Sequence, residues 1–280
     1  PKGCGMGEYY QWFNVDKREQ LGIEPFDTGP KIVSNVDAGN EYTDAVCTLL
    51  NGDWQGDRLV YLGDYRHLDG ETNPVLAKLE ADCGHREYHA FDEAEDIYAD
   101  VAGRFAVARG KTHYDCDYDG LRQIPFEGSM DQEIIHFRYV IDDTKKQFYD
   151  RGRTPVNYLV KRRDEVLVGG ITRLDFLAVF LSAGEQEWGE AYLTDGLDGE
   201  KPDGMWLGDE VRVSHNPPSG GYEDISAKYH VFYKPLINEP DEQIIPILES
   251  LAFKDAIEKG DSADMLVRPL ELMRQILDGA

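Results

Sequence analysis

The feature that most constrains this 280-residue chain is that its two halves resemble each other. Trp12-Phe13-Asn14-Val15-Asp16-Lys17-Arg18-Glu19-Gln20 is echoed by Val140-Ile141-Asp142-Asp143-Thr144-Lys145-Lys146-Gln147-Phe148. In both, an apolar stretch ends in Asn or Asp and two adjacent basic residues follow. Downstream, Glu41 to Leu50 and Thr172 to Leu181 each carry the pattern of a short amphipathic helix with an apolar C-terminal half. Gly52 and Gly184 sit where a helix end favours a residue tolerant of positive φ. A third match is Gly52-Asp53-Trp54-Gln55-Gly56-Asp57 with Gly204-Met205-Trp206-Leu207-Gly208-Asp209, a shared GxWxGD followed by an alternating, strand-like run. Three blocks in the same order predict two diverged tandem repeats of a mixed strand and helix unit, 1–112 with a helical insert and 113–239. The second half carries a Gly- and Asp-rich loop insertion from Glu185 to Asp203. Residues 240–280 have no counterpart in the first half. Their helical periodicity, broken at Pro246 and Pro269, predicts a C-terminal helical appendage packed into one compact unit.

The opening GMGEYYQWFNVDKREQL and the later GDWQGDRLVYLGDY resemble a prokaryotic family of uncharacterised proteins. Its members begin with a Gly-Gln-Tyr-Tyr type start, carry an Asn-x-x-Lys-Lys/Arg-Glu motif, and run through a TrpxGlyAsp strand into GlyAspTyr. A related Asn-His-Thr-Lys-Lys motif marks the family's second half. Here it stands as Asp142-Asp143-Thr144-Lys145-Lys146, with both Asn and His replaced by Asp. The likeness covers residues 5 to 65 well and 138 to 213 loosely, and it implies organisation without implying an activity.

Strands are expected at Tyr9 to Asn14, Lys31 to Ser34, Arg58 to Leu62, Asn157 to Lys161, Glu190 to Leu193 and Val211 to Ser214, which are short and rich in β-branched or aromatic residues. Asp92 to Ala108 reads as a helix, with Asp92 and Glu95 as a capping box, an apolar face through Ile97, Val101 and Phe105, and Gly110 as its stop. Pro74 opens a shorter helix after Asn73. The fold class that follows is α+β.

With 29 basic and 54 acidic side chains the formal charge is −25, which repels phosphate backbones; the basic run Lys161-Arg162-Arg163 is followed at once by Asp164-Glu165. Nucleic-acid binding is therefore not expected. No apolar run nears the roughly 18 residues a membrane span needs. Pro1 to Tyr10 lacks the basic-then-apolar pattern of a secretory signal. Cys4, Cys47, Cys83 and Cys116 are far apart and form no CxxC pair, which points to free thiols in a reducing, cytoplasmic setting.

Several places could carry chemistry. Trp54 and Trp206 read as anchors of the GxWxGD turns, with Asp57 and Asp209 bonding the turns' own N–H groups. Asn14 and Lys17, after the first strand, could hold a ligand. Asp64 and Tyr65 lie past a strand end, where sites often sit, and the second half has Ser214-His215 there instead. Cys83, His85, His89, His113 and Cys116 fall within 34 residues of a chain that has four cysteines and seven histidines, a supply of zinc ligands without a standard finger spacing. Asp115-Cys116-Asp117-Tyr118-Asp119-Gly120 matches the start of a calcium loop, but Phe126 stands where that loop wants Glu. The zinc and calcium readings compete for the same stretch.

The sequence thus supports a non-catalytic interaction or ligand-binding protein, using the cleft between repeats and its acidic surface to meet a protein partner. The alternative is a divalent-metal hydrolase in which Asp115, Asp117 and Asp119, with His113, hold a cation that activates water. A third class, mimicry of nucleic acid by the acidic surface, would occupy a basic groove in another protein.

Overall fold

The computed structural model describes residues 8–83, 90–117, 120–163, 166–184, 191–194, 199 and 201–233. The expected C-terminal helices, 240–280, lie outside the described residues, as do His85, His89 and Asp119.

The chain is α+β. In the first half β1 (Tyr10–Asn14) turns into β2 (Glu19–Leu21), α1 (Glu41–Leu50) leads to β3 (Leu59–Gly63), and α2 (Pro74–Cys83) and α3 (Ala90–Ile97) precede β4 (Ala99–Asp100). A hairpin of β5 (Thr112–Asp117) and β6 (Gly120–Pro125) follows. In the second half come β7 (Tyr139–Asp142), β8 (Gln147–Asp150), β9 (Val156–Arg163) and β10 (Val166–Arg173). The short α4 (Leu177–Phe180) leads to β11 (Ser182–Ala183), β12 (Ala191–Thr194), β13 (Val211–Ser214), β14 (Glu223–Asp224) and β15 (His230–Tyr233).

Two sheets have the same plan. One runs β11-β3-β1-β2-β4 and the other β13-β7-β8-β14. In each, the central strand is antiparallel to both neighbours and a short fourth strand joins parallel at the edge. The registers correspond: Asn14 faces Glu19 and Leu59, while Asp142 faces Gln147 and Val211. Glu19 pairs with Ala99 at one edge and Gln147 with Glu223 at the other.

Every residue of β1 and β3 is buried, because both faces of the first sheet are covered. Phe13, Val60 and Leu62 face a smaller core with Val75, Leu76 and Leu79 of α2 and Ala94 of α3. Trp12 and Tyr61 face the larger core, which also holds Trp54, Tyr149, Phe176, Phe180 and Trp206. Residues of both halves therefore share one apolar core. The strand after α4 joins the first sheet, Ser182 beside Tyr61, and α1 packs near β13.

Some local expectations are corrected. Lys31 to Ser34 is not a strand; Ile32–Asn35 is a 3-10 turn, with Asn35 buried and its amide donating to Gly29 O, Lys31 O and the Tyr61 hydroxyl. The helix expected over Asp92 to Ala108 starts at Ala90 and stops at Ile97. Pairing of Ala99 and Asp100 with β2 then pulls the backbone out, and two 3-10 turns replace the remainder. Thr172 and Arg173 belong to β10, so the second amphipathic stretch is helical only at Leu177–Phe180. Neither Gly52 nor Gly184 has positive φ; α1 ends on Asn51 in the right-handed region. Asn73 does cap α2, accepting from the N–H of Val75 at 2.9 Å.

Candidate functional site

The motif residues meet where each hairpin touches its GxWxGD turn. After β1, Val15 to Arg18 reverse the chain, with Arg18 at φ 53. Asn14 is fully buried. Its Oδ1 accepts from the backbone N–H of Asp16 (3.1 Å) and Lys17 (3.0 Å), while its Nδ2 donates to Asp57 Oδ2 at 2.8 Å. A primary amide can both accept and donate, so one side chain closes the reverse turn and ties it to the other motif. Lys17 Nζ lies 3.5 Å from Asp57. Trp54 is buried and its indole N–H donates to Glu19 at 2.7 Å, and Glu19 also takes the Arg104 guanidinium. Gly56, at φ 79, makes the turn that returns the chain into β3.

The second half repeats this arrangement with one change. Asp142 Oδ1 accepts from the N–H of Thr144 (2.8 Å) and Lys145 (2.9 Å), and Lys146 takes φ 56. Trp206 donates to Gln147 at 3.1 Å, Gly208 has φ 95, and Lys145 Nζ bonds Asp209 and the carbonyl of Met205. Asp142, unlike Asn14, has no N–H to offer. It faces the Asp209 carboxylate, and burial first, then Asp209, pushes its carboxyl up to about 6. The neighbouring Asp143 goes the other way: burial opposes its charge, but bonds from Arg212 and Tyr222 outweigh that and hold it below the usual range.

The expectation that Asp57 and Asp209 bond their own turns is corrected. Their carboxylates reach the hairpin instead, and it is their backbone N–H groups that donate within the turn, to Trp54 O at 3.1 Å and Trp206 O at 3.0 Å.

A further matched pair was missed in the sequence. Tyr98-Ala99-Asp100-Val101-Ala102-Gly103-Arg104 and Tyr222-Glu223-Asp224-Ile225-Ser226-Ala227-Lys228 form the two parallel edge strands and their exits. Asp100 Oδ1 accepts from Ala102 N at 2.9 Å and Asp224 Oδ1 from Ser226 N at 3.0 Å. The shared Tyr-x-Asp followed by an apolar and a small residue was the available signal.

Asp64 closes the end of the β1–β3 pairing: its Oδ1 accepts from Tyr9 N and its own N–H donates to Tyr9 O, both at 2.9 Å. Tyr65 follows in the turn, half-buried. These residues do not converge with Asn14, which lies at the opposite end of β1.

Of the expected metal ligands, His85, His89 and Asp119 lie outside the described residues. Cys83 is buried at the end of α2, its Sγ 3.6 Å from Ala90 O, and burial pushes its thiol up to about 11. His113, Asp115, Cys116 and Asp117 lie on β5. Asp115 pairs with Arg122 and Asp117 with Gly120 across this antiparallel hairpin, and Tyr118 and Asp119 of the DxDxDG stretch lie outside the described residues. Among the described residues no three His, Cys, Asp or Glu side chains converge.

A buried charge cluster, not foreseen, joins the halves. Arg151 donates from Nε to Asp175, just before α4, at 2.6 Å, forms an ion pair with Asp44 of α1 at 2.6 Å, and donates to Phe137 O at 3.0 Å. Tyr149 donates to Asp175 at 2.7 Å. Half-exposed His136 brings Nδ1 within 3.0 Å of Asp44, carrying the cluster to the surface. Compared with known protein families, curated proteins and solved structures, the chain matches none.

Proposed function

We propose that the chain is a non-catalytic interaction protein that presents an acidic surface to a basic protein partner. The observation that carries this reading is what the motif residues are used for. Asn14, Trp54, Asp57 and Asp64 are engaged in turn and strand-end bonds, while the chain as a whole carries a formal charge of −25. Exposed acidic side chains, such as Asp92, Asp96 and Glu133, extend a field that attracts cationic surfaces. The matching sheet orders, and the matching bonds of Trp54 to Glu19 and Trp206 to Gln147, support reading the two halves as diverged copies of one unit. Metal-dependent hydrolysis at Asp115, Asp117 and Asp119 is the second reading of the sequence, and the hairpin register of β5 and β6 lends it no support.

The test is affinity capture from host lysate at roughly 0.05 M and 0.5 M salt, which brackets strong and weak screening. Retained proteins are then purified and titrated back. A basic protein that rebinds stoichiometrically and is released by salt is expected. If nothing rebinds, or the bound species is as acidic as this chain, the reading is overturned. A partner that is itself displaced by DNA would identify the nucleic-acid mimic.

A further inference from the structure

The two hairpin locks differ at one position that matters for protons. In the first, the Asn14 amide donates to Asp57 at 2.8 Å, a bond that holds at any pH at which Asp57 is charged. In the second, the same place is taken by Asp142, which is fully buried. Its Oδ1 is used by the turn, but among the described residues no donor reaches its Oδ2, on the side of the Asp209 carboxylate. Other charges near the pair are Lys145, on the Asp142 hairpin, whose ammonium is engaged by Asp209 and Met205 O, and Arg212 of β13, held by Asp143. Among the described residues no cation is thus directed at Asp142 Oδ2. Two ionised carboxylates in contact repel, whereas one shared proton converts the contact into a hydrogen bond.

We propose that Asp142 and Asp209 form a proton-operated latch, closed while one proton is shared between them and loosened when it is lost, at a place where the first half carries a proton-independent version of the same lock. Opening frees the 143–146 turn from the 204–209 turn and relaxes the anchorage of Trp206, which packs on Phe180 at 4.6 Å between ring centres. The upward displacement of the Asp142 carboxyl to about 6 places the transition in mildly acidic solution. The sign follows from linkage: the folded form binds more protons than the opened form between the ordinary aspartate value and about 6, so the latch weakens as pH rises through that window.

The test is hydrogen exchange of the full chain, corrected for intrinsic rate, with peptides covering 139–147 and 204–211 read against 10–19 and 54–63. Between about pH 4.5 and pH 7 the opening equilibrium of the second pair is expected to rise on the order of tenfold or more relative to the first. Asp142→Asn should flatten the difference, and Asn14→Asp should install the same pH dependence in the first hairpin. A flat wild-type ratio overturns the latch, as does a dependence that survives in Asp142→Asn. Should Asp142→Asn fail to fold, Asn14→Asp decides: acquired pH dependence supports the latch, and its absence overturns it.

Discussion

Arg151 meets Asp175 at 2.6 Å with the two side chains 1% and 0% exposed, so this ion pair lies wholly inside the protein. The same guanidinium reaches Asp44, and the three residues tie α1 of the first half to the approach to α4 in the second. Burial works against the cation, and Asp175 and Asp44 overcome it, leaving Arg151 firmly charged. Replacing Arg151 by Met should lower stability by about 3–5 kcal/mol, because two buried carboxylates lose their counter-charge. Urea denaturation at neutral pH measures this. A loss below about 1 kcal/mol would mean that water or rearrangement already compensates the pair.

Asp82 offers a pH test of opposite sign to the latch. Burial alone would raise its carboxyl, but Arg18, Lys78 and Tyr98 all bond it and bring it down to about 2. Its folded value lies below its unfolded one, so its contribution is full above the unfolded value and disappears as pH falls toward 2. Asp82→Asn is therefore expected to cost about 1–2 kcal/mol at pH 7 and almost nothing near pH 2. Equal costs at both ends in paired melts would refute the assignment.

Gly103 and Gly128 allow two backbones to touch. A Cβ on Gly103 would stand 1.7 Å from Glu127 O, and Gly128 adopts φ 141 against Gly103 O. Gly103→Ala should destabilise by more than about 2 kcal/mol, since backbone must move. Gly56→Ala, where φ is 79 and nothing lies within 4 Å of the added carbon, should cost about 1 kcal/mol from left-handed strain. Thermal melts of the two variants give the comparison, and reversal of their order would contradict the close approach.

Cys47 and Cys83 should resist alkylation in the folded protein. Both are buried, and burial pushes each thiol up, Cys83 to about 11, so little thiolate exists at neutral pH. Peptide mapping after brief treatment with iodoacetamide, native and denatured, reports each site separately. Rapid native labelling at Cys83 would show that the end of α2 opens readily.

Local signals were legible where the chain makes its own bonds. The helix Glu41–Leu50, the Pro74 start of α2 and the Val211–Ser214 strand follow from amphipathic spacing, fixed φ and alternation, which act over a few residues. Gly56 and Gly208 of the two GxWxGD turns take the positive φ that those turns demand. Helix propensity misled at Val101 to Ala108, because strand pairing of Ala99 with Glu19 and of Asp100 with Gln20, each 80 positions away in the chain, outweighed it. The edge-strand pattern at Tyr98 and Tyr222 was present but too short to stand out before its position was known.

The sequence by itself determined the turn and cap chemistry, the acidic charge and the spacing of the matched motifs, since these depend on residue type and near neighbours. Tertiary structure alone decided that Asn14 would reach Asp57 while Asp142 would confront Asp209, and that Arg151 would lie between Asp44 and Asp175. Those contacts join residues far apart in the chain, and their energies arise from burial, which no local pattern of residues specifies.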